Sequence, residues 1–321
     1  MSAIVVTAPG GPDSLSLQSV PLPQLQPGEA LIRVTAAGVN GPDLAQRRGD
    51  YPPPPGASPL LGLEVSGEIV VAAGGWAVGD KVVALCNGGG YAEYVAVPSG
   101  QILPAPVGWS LADAAAVPEC WFTITQTLVL RAGLEPGMSV LITGAAGGIG
   151  GAAIQIASLM GADPIAIVSS AEKAAYARSL GARAVIRHDS EDVLARTLEL
   201  TGGRGADRII DMLGGPATAR HIDAAARFGH ILLLSTLGQR QADLPLNKIM
   251  AKQLTLSGST LRPQSAATKA AIANRLREQF WPALPGLTRP KTRTFPLAEA
   301  AQAHRAMEER SHFGKIVLAA G

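Results

Sequence analysis

The sequence has 321 residues, a net charge of +2 at pH 7 and only 16% charged residues. A chain of this length accommodates two domains, and its nearly balanced charge gives no electrostatic signature for binding nucleic acid or a membrane surface. Its two cysteines, Cys86 and Cys120, are too few for a disulfide framework or for a zinc site of four thiolates. The first residues lack the basic start and apolar block of a signal peptide, so we expect a cytoplasmic protein.

The first part of the chain, up to about residue 117, predicts an irregular β-rich domain. Short apolar runs are separated by turns rich in proline and glycine, including consecutive prolines at 52–55. The predicted strands in this part cover residues 30–36, 64–72 and 81–85.

Between about residues 139 and 258 the sequence changes to strands that alternate with helices. This alternation is typical of an α/β fold with a parallel sheet covered by helices on both faces. The predicted strands are 140–143, 164–168, 184–186, 208–211, 231–235 and 254–257, and the predicted helices are one ending near 160, then 172–180, 191–200 and 217–227. After residue 260 the pattern predicts helices at 266–280 and 297–309 and a closing strand at 315–318.

The segment that follows the strand at 140–143 is the strongest functional signal in the sequence. An apolar strand breaks into a glycine-rich turn, and the chain continues as a helix rich in alanine and isoleucine. Strand, turn and helix N-terminus together predict a dinucleotide site, because the bare backbone can approach a pyrophosphate and free N–H groups favour its charge. The frame Gly144-x-x-Gly147-x-x-Gly150 differs from the standard G-x-G-x-x-G. The prediction therefore depends on the position of the turn between a strand and a helix. The glycines also argue against a membrane span in the uncharged stretch 136–162.

The strand at 164–168 indicates which dinucleotide is preferred. A site for NAD usually ends this strand with Asp or Glu, whose carboxylate binds the ribose 2′-hydroxyl. Here the strand is followed by Ser169 and Ser170, and Lys173 lies in the first turn of the next helix. Two hydroxyls and an ammonium suit a 2′-phosphate, and a charge-assisted hydrogen bond of roughly 1.5–3 kcal/mol would set a preference of about ten- to a hundredfold. We therefore predict NADPH as the cofactor, the alternative being that Lys173 is a solvated helix lysine.

Several motifs share their order and spacing with one family along the whole chain. On these motifs the chain resembles the zinc-independent quinone oxidoreductases of the medium-chain dehydrogenase/reductase superfamily, the zeta-crystallin-like group. The resemblance implies a doubly wound Rossmann domain at 120–259 and a GroES-like catalytic domain built from residues 1–119 and 260–321. It also implies a homodimer that pairs the late edge of the Rossmann sheet. The motifs are Ala37-Gly-Val-Asn40-Gly-Pro-Asp43-Leu-Ala-Gln-Arg-Arg-Gly49, Tyr51-Pro-Pro-Pro-Pro-Gly-Ala-Ser58, Leu61-Gly-Leu-Glu64-Val-Ser-Gly67, Trp121-Phe-Thr123, the glycine turn and Gly314-Lys-Ile-Val-Leu318.

The resemblance implies which residues line the site. It places Asn40, Tyr51 and Thr123 near the nicotinamide and the acceptor, as the catalytic residues. Asn40 can bond a carboxamide or a carbonyl, Tyr51 can bond or protonate an oxyanion, and Thr123 can bond the carboxamide. Alternatively, Asn40 caps a turn, Tyr51 only packs on the proline loop, and Thr123 bonds back to its own backbone. The residues implied for cofactor binding are Asn40, Thr123, Gly144, Ala146, Gly147, Gly148, Ile149, Ser169, Ser170, Lys173, His188, Leu213 and Phe313.

A metal site is not expected. Zinc-dependent members of the superfamily carry Gly-His-Glu where this chain has Gly62-Leu63-Glu64, and a cysteine where it has Asn40. Leu63 and Asn40 cannot supply the imidazole or thiolate that catalytic zinc takes, and we expect Glu64 to be a structural carboxylate. Because no Lewis acid would polarise an alcohol, the remaining chemistry is hydride transfer to an acceptor that needs little activation. A small-molecule quinone fits this description, and positioning would supply most of the catalysis.

Departures from the family pattern leave two points open. His188 stands where relatives carry a tyrosine on the phosphate side, and Arg187 beside it either compensates or is merely solvated. The usual arginine after Asn40 is replaced by Gly41 and Pro42, so the range of acceptors can differ.

Two other functions also stay open. One is an NADPH-dependent reductase of enones, enals or enoyl thioesters, which would need a firmer proton donor, and the other is an NADPH-binding protein with little turnover.

Overall fold

The computed structural model describes residues 1–309 and 312–320 and divides the chain into two compact units. Unit 1 combines Met1–Phe122 with Arg262–Gly321, and unit 2 is the continuous segment Thr123–Leu261. The family resemblance implied domain borders at 119/120 and 259/260. Unit 1 is therefore built from both ends of the chain.

Strands occur in both units. They are β1 (Ser2–Val6), β2 (Leu15–Ser19), β3 (Glu29–Gly38), β4 (Glu64–Val71), β5 (Lys81–Leu85), β6 (Tyr94–Pro98), β7 (Ile102–Pro104), β8 (Ser139–Ile142), β9 (Asp163–Val168), β10 (Ala184–Arg187), β11 (Ala206–Asp211), β12 (Ala225–Leu233), β13 (Thr255–Gly258), β14 (Thr292–Pro296) and β15 (Lys315–Ala319).

The helices are mostly short. They are α1 (Gly41–Arg48), α2 (Leu111–Ala114), α3 (Pro118–Ile124), α4 (Gly148–Leu159), α5 (Ala171–Ser179), α6 (Val193–Leu200), α7 (Pro216–Ala224), α8 (Leu246–Lys252), α9 (Ala266–Gln279) and α10 (Ala300–Glu308). Short 3₁₀-helices lie at Pro12–Ser14, Ser99–Gln101, Trp281–Gly286 and Leu297–Glu299, and a π-helix covers Thr125–Arg131. In the part of the chain that is described, no helix is both long and apolar enough to cross a membrane.

Unit 1 is organised around a sheet of seven strands in the order β14-β15-β3-β4-β5-β7, with β6 paired to β3. Its core is apolar and includes Ile32, Val65 and Ile316, which are almost fully buried. In the register of the sheet, Ala37 pairs with Val65 on one side and with Leu318 on the other. The end of β3, the start of β4 and the start of β15 therefore lie side by side at one end of the strands.

Unit 2 contains a sheet of six strands, all parallel, in the order β10-β9-β8-β11-β12-β13. Numbered from β8, this order reads 3-2-1-4-5-6, which is the doubly wound arrangement of dinucleotide-binding domains. The side chains of Val140, Leu141 and Ile142 in β8 are completely buried, as expected for a parallel strand covered on both faces. The predicted α/β fold class is confirmed.

One local error of the sequence prediction concerns the helix expected at 217–227. The structure ends α7 at Ala224 and continues directly into β12, where Ala225 pairs with Ala206 of β11. The run of alanines favours a helix locally, but pairing with the neighbouring strand overrides this preference. Helix α1 was also missed, because its first residues, Gly41 and Pro42, are typical of a turn as well as of a helix start.

Candidate active site

The glycine turn of unit 2 has the geometry that a pyrophosphate needs. Gly144 has a φ angle of +62°, a conformation that favours glycine. A Cβ atom on Gly150 would lie 2.4 Å from both the carbonyl oxygen of Gly144 and Cα of Ala145, so only glycine lets α4 pack this closely on the turn. Gly147 is the N-cap residue of α4, and within the described residues no side chain caps it. The first N–H groups of α4 therefore remain available to an anion, and the residues fit a dinucleotide cofactor.

The residues predicted to bind the 2′-phosphate lie together at the end of β9. The ammonium of Lys173 donates a hydrogen bond to the Ser169 hydroxyl over 3.1 Å. The Ser170 hydroxyl has a different task, because it accepts the backbone N–H of Lys173 at 3.3 Å and caps α5. Ser169 is exposed and Lys173 is only half-buried, so both can face a ligand.

The end of β10 and the loop after it contain Arg187 and His188, the two residues considered for the phosphate side. The guanidinium of Arg187 binds both carboxylate oxygens of Asp189, with Nη2 of Arg187 2.7 Å from Oδ2 of Asp189. The exposed His188 follows it, and its backbone N–H donates to the carbonyl oxygen of Val168 at 3.1 Å. His188 therefore lies beside the end of β9, whereas the charge of Arg187 is already paired within its own loop.

A buried carboxylate shapes the loop that contains Leu213. Asp211 ends β11, and its Oδ1 accepts the backbone N–H groups of Leu213 and Gly214 at 2.8 and 3.0 Å. Its Oδ2 accepts the Thr218 hydroxyl at 2.6 Å and lies 3.0 Å from Nδ1 of His221. Burial alone would raise the pKa of Asp211, but His221 and the hydrogen bonds lower it to about 2. The ionised carboxylate holds the loop and leaves the Leu213 side chain exposed.

The segment after Thr123 contains polar groups that the sequence analysis missed. Thr123 is half-buried, and its carbonyl oxygen accepts the Thr127 hydroxyl at 2.7 Å. A π-helix begins at Thr125, and such helices are frequent at functional sites. Among the described residues, Oγ1 of Thr125 and Oε1 of Gln126 are buried without a hydrogen-bond partner. These atoms are the kind of unsatisfied groups that a ligand can complete, and only the alternation of polar residues in Thr123-Ile-Thr-Gln126 hinted at them.

In unit 1, Asn40 belongs to a buried ionic cluster. Its Nδ2 donates to Oε1 of Glu64 at 2.8 Å, and its Oδ1 accepts the ammonium of Lys315 at 2.5 Å. Lys315 and Glu64 also form an ion pair of 2.5 Å, and their side chains are 5% and 0% exposed. Burial lowers the pKa of Lys315, but the charge and the hydrogen bond of Glu64 raise it above its ordinary value, so the ammonium persists. Glu64 is thus a structural carboxylate, and both ends of the Asn40 amide are occupied by protein groups.

A second buried carboxylate fixes the loop that contains Asn40. Asp43 accepts the backbone N–H groups of Asn40 and Gly62 at 2.8 and 3.0 Å, and the Tyr91 hydroxyl at 3.3 Å. Tyr91 in turn lies 3.1 Å from Nε2 of His304. Burial raises the pKa of Asp43 to about 6, even though its backbone hydrogen bonds lower it. The position of Asn40 as N-cap residue of α1 follows from these bonds.

Tyr51 lies in unit 1 beside a buried arginine. The guanidinium carbon of Arg262 is 5.9 Å from the centre of the Tyr51 ring, within the range of a cation–π interaction. Arg262 is held by the carbonyl oxygen of Asn87 and by Oε1 of Gln46, which accept its N–H groups at 2.6 to 3.1 Å. Behind it, the buried ammonium of Lys269 donates to Oδ1 of Asn87 at 2.5 Å, and burial lowers the pKa of Lys269 to about 8. Tyr51 itself is half-buried.

The predicted site residues are divided between the units. Asn40, Tyr51 and Phe313 belong to unit 1, and the ring of Phe313 lies 4.7 Å from the ammonium of Lys291. The remaining predicted residues belong to unit 2, where they form the glycine turn, the ends of β9 and β10 and the loop after β11. They are Thr123, Gly144, Ala146, Gly147, Gly148, Ile149, Ser169, Ser170, Lys173, His188 and Leu213.

A zinc ion does not fit the donor atoms of unit 1. Leu63 ends in carbon, the amide of Asn40 is engaged as described, and burial raises the pKa of Cys120 to about 12, so its thiol keeps its proton. Across residues 1–309 and 312–320, no group of three or more His, Cys, Asp or Glu side chains is placed to hold a metal ion.

Two family models match the chain, one in each type of domain. Residues 26–107 match the alcohol dehydrogenase GroES-like domain, and residues 148–275 match a family described as zinc-binding dehydrogenase. Among curated proteins, a quinone oxidoreductase of Lama guanicoe is 30% identical over 99% of this chain and 97% of its own length. A phenolphthiocerol synthesis polyketide synthase of Mycobacterium marinum is 32% identical over 99% of this chain, which spans 15% of that protein.

Solved structures give the same grouping. An NAD-dependent alcohol dehydrogenase superimposes with a TM-score of 0.88 at 32% identity, and the match covers all of both chains. The Escherichia coli quinone oxidoreductase complexed with NADPH superimposes with a TM-score of 0.85 at 26% identity, again over all of both chains. Similarity over the full length, the doubly wound sheet and the glycine turn lead to one conclusion. The chain belongs to the medium-chain dehydrogenase/reductase superfamily, as a relative of the quinone oxidoreductases, and is an oxidoreductase that uses a nicotinamide cofactor.

Proposed function

We propose that this protein is an NADPH-dependent quinone reductase that transfers hydride without a metal ion. The observation on which this proposal depends is the pairing of Lys173 with Ser169 at the end of β9, next to a glycine turn and without a carboxylate in the ribose position. An ammonium and a hydroxyl at this place favour a 2′-phosphate over a 2′-hydroxyl. The full-length similarity to quinone oxidoreductases supports the choice of acceptor.

The residues of unit 2 would bind and orient the cofactor. The N–H groups at the start of α4 would take the pyrophosphate, while Ser169 and Lys173 would take the 2′-phosphate. Thr123 and Leu213 would contact the nicotinamide end, with His188 on the phosphate side. When bound, NADPH supplies the hydride and becomes NADP⁺, and the quinone gains that hydride and one proton to become a hydroquinone.

The residues of unit 1 would position the acceptor and supply the proton. Tyr51 is half-buried beside Arg262, so its hydroxyl would donate a hydrogen bond to the quinone oxygen that gains negative charge. The sequence analysis predicted that Asn40 contacts the cofactor or the acceptor directly, but we propose a different role for it. Because its amide binds Lys315 and Glu64, Asn40 would position the neighbouring backbone rather than touch the ligand.

We also propose a cytoplasmic homodimer. Strand β13 ends the order of the parallel sheet, so within residues 1–309 and 312–320 the backbone groups along one side of it lack a neighbouring strand. Open strand edges favour pairing with another chain, and pairing between two copies would satisfy them. Light scattering at micromolar concentration tests this proposal, and a monomer would contradict it.

A second candidate function is reduction of an activated alkene in an enone, enal or enoyl thioester. The half-buried phenol of Tyr51 supports it, because alkene reduction needs a proton donor at carbon. A third candidate, an NADPH-binding protein with little turnover, would retain the cofactor residues without productive contact to an acceptor.

One assay separates these candidates. NADPH oxidation is followed by absorbance with a small quinone, and the same assay is run with NADH and with an enone. Fast turnover of the quinone with NADPH, and little with NADH, supports the proposed function. Turnover with the enone alone would establish alkene reduction instead. Tight NADPH binding without turnover would leave a binding protein, and equal rates with NADH would contradict the role of Ser169 and Lys173.

A further inference from the structure

Arg262 is a buried cation whose hydrogen bonds go to neutral oxygen atoms. The residue is only 5% exposed. Its Nε and Nη2 donate to the carbonyl oxygen of Asn87 at 3.1 and 2.9 Å, and its Nη1 donates to Oε1 of Gln46 at 2.6 Å. Because neither acceptor carries a charge, these bonds hold the guanidinium in place without neutralising it. A buried charge of this kind is costly and calls for an explanation.

Gln46 links the guanidinium to the loop that begins with Tyr51. The amide of Gln46 in α1 accepts Nη1 of Arg262 with its oxygen and donates from Nε2 to the carbonyl oxygen of Pro59 at 2.8 Å. Pro59 lies at the end of the loop in which the consecutive prolines follow Tyr51. The position of Arg262 and the path of this loop are therefore fixed by one side chain.

The segment around Asn87 holds Arg262 from its backbone as well. The buried ammonium of Lys269 donates to Oδ1 of Asn87 at 2.5 Å and to the carbonyl oxygen of Arg262 at 2.7 Å. A Cβ atom on Gly88 would lie 2.6 Å from the carbonyl oxygen of Ser58 and 3.2 Å from Nη2 of Arg262. This close packing leaves the guanidinium little freedom to move.

The fixed guanidinium lies over the ring of Tyr51. Its carbon atom is 5.9 Å from the centre of the ring. If Tyr51 loses its proton, the negative charge spreads over the ring, and a cation above the ring attracts this phenolate more strongly than it attracts the neutral phenol. Burial raises the pKa of Tyr51, and the charge of Arg262 acts in the opposite direction and lowers it.

The other ionisable group that acts on Tyr51 is Glu119 of α3, which is 9% exposed. An ionised Glu119 raises the pKa of Tyr51 and so opposes Arg262. Burial and the nearby charge of Glu64 raise the pKa of Glu119 to about 8, so its carboxyl group is mostly protonated near neutral pH. In this range Arg262 is therefore the main charge that acts on Tyr51.

We propose that Arg262 is a positioning residue that supports proton donation by Tyr51. The inference rests on the proposed function, in which Tyr51 protonates the reduced acceptor. After hydride transfer, the Tyr51 O–H bond breaks and its proton forms the new O–H bond on the acceptor oxyanion, so that the negative charge moves to Tyr51. Arg262 stabilises this phenolate until water returns a proton to it. Arg262 acts through Tyr51 and does not touch the acceptor.

The first test compares turnover in Arg262→Met, which lacks the charge, with turnover in Arg262→Lys, which keeps it. Arg262→Met should lower kcat with a quinone about three- to tenfold, because the rate follows the acidity of the proton donor, and should bind NADPH as before. Arg262→Lys should recover most of the rate. A lysine variant as slow as the methionine variant would mean that only the hydrogen bonds of Arg262 matter and would overturn the inference.

Two further variants complete this comparison. Arg275→Met removes an exposed charge from α9 and should match the wild type. Arg262→Gln also lacks the charge but retains an N–H donor for the Asn87 carbonyl, so it gives the same comparison if the methionine variant does not fold.

A double variant tests whether Arg262 acts through Tyr51. In the background of Tyr51→Phe no phenolate can form, so adding Arg262→Met should cause no further loss of turnover. A merely structural role of Arg262 would lower turnover in both backgrounds. Losses that multiply in the double variant would therefore contradict the inference.

A titration of Tyr51 gives a readout that needs no substrate. Replacing tyrosine by 3-fluorotyrosine makes every phenol more acidic, and fluorine NMR follows the rings separately, with the resonance of Tyr51 identified by its absence in Tyr51→Phe. The midpoint of this resonance should rise by about one pH unit in Arg262→Met and by less than about half a unit in Arg262→Lys. An unchanged midpoint in Arg262→Met would overturn the inference. Failure of the wild type to reduce any quinone would instead contradict the proposed function, so the two failures are distinguishable.

Discussion

The ammonium of Lys315 lies 2.5 Å from Oε1 of Glu64, in an ion pair that links the last strand of the chain to its fourth. Both residues begin their strands, and both strands pair with β3. The pair also receives the Asn40 amide, so the loop after β3 is fixed at the same point. Two distant motifs of the sequence, Leu61-Gly-Leu-Glu64 and Gly314-Lys-Ile-Val-Leu318, are therefore parts of one buried cluster.

Breaking this pair should destabilise the protein strongly. In Lys315→Met the carboxylate of Glu64 would remain buried without its cation, at a cost of about 3–5 kcal/mol in the free energy of unfolding. The double variant with Glu64→Gln should recover most of that loss, because no uncompensated charge remains. Urea unfolding measures both changes, and Lys81→Met, at an exposed lysine of β5, should leave the midpoint unchanged. Equal midpoints for the Lys315 and Lys81 variants would show that the pair does not contribute.

Lys173 should set the preference between the two nicotinamide cofactors. Lys173→Ala removes the ammonium that lies 3.1 Å from the Ser169 hydroxyl. We expect NADPH to bind about ten- to a hundredfold more weakly and NADH to bind with unchanged affinity, since NADH lacks the phosphate. Fluorescence titration gives both dissociation constants. Arg178→Ala, which removes an exposed positive charge from the same helix, should leave both values unchanged, whereas an equal effect of the two variants would indicate only a general influence of charge.

Gly150 should tolerate no side chain. The methyl group of Gly150→Ala would meet the Gly144 carbonyl oxygen and Cα of Ala145 at 2.4 Å, both of them backbone atoms that cannot yield without moving the turn. We expect loss of cofactor binding by at least about tenfold together with a lower melting temperature. The control is Gly151→Ala, where the new methyl group meets only the end of the Leu180 side chain at 3.2 Å. Unimpaired NADPH binding by Gly150→Ala would contradict the role of close backbone packing.

The hydroxyl of Tyr51 should matter more for alkene reduction than for quinone reduction. Tyr51→Phe keeps the ring against Arg262 and removes only the hydroxyl. We expect alkene reduction to be abolished, because it needs a proton donor at carbon, while quinone reduction should fall less, since a hydroquinone anion is stable without one. Parallel assays with a quinone and an enone measure the difference. If both rates remain at the wild-type level, Tyr51 is not the acid.

The Rossmann unit could be predicted from the sequence because its signals are local. The glycine turn directly follows β8, the two serines directly follow β9, and each signal can be recognised within a few residues of its own strand. Strands β8 and β9 pair in the sheet. Helix α7 shows the limit of local signals, since the alanines around residue 225 form a strand once β11 is beside them.

The buried cluster of unit 1 could not be predicted in the same way. The sequence singled out Asn40, but the partners of its amide come from residues 64 and 315, and only the register of β3, β4 and β15 brings them together. Glu119 has no marker in the sequence at all. Its raised pKa comes from two properties of the folded state, which are its burial and the nearby charge of Glu64.

Glu119 should also make the stability of the protein depend on pH. Its pKa is raised by burial from an ordinary value of 4.5 to about 8, so between these values the folded protein keeps a proton that the unfolded chain has released. Stability from this group is therefore fully present below about pH 4.5 and declines as the pH rises towards 8, by on the order of 1.4 kcal/mol per pH unit. Glu119→Gln cannot titrate and should lack this decline.

Urea unfolding of the two proteins at pH values from about 5 to 9 isolates the effect, because the other ionisable groups are common to both. The variant should become the more stable protein relative to the wild type as the pH rises, and the difference should level off once Glu119 has lost its proton above about pH 8. Glu68→Gln should run parallel to the wild type throughout, since Glu68 lies in a surface ion pair with Arg33. Parallel curves for the wild type and Glu119→Gln would mean that Glu119 is ionised in the folded protein and would contradict its raised pKa.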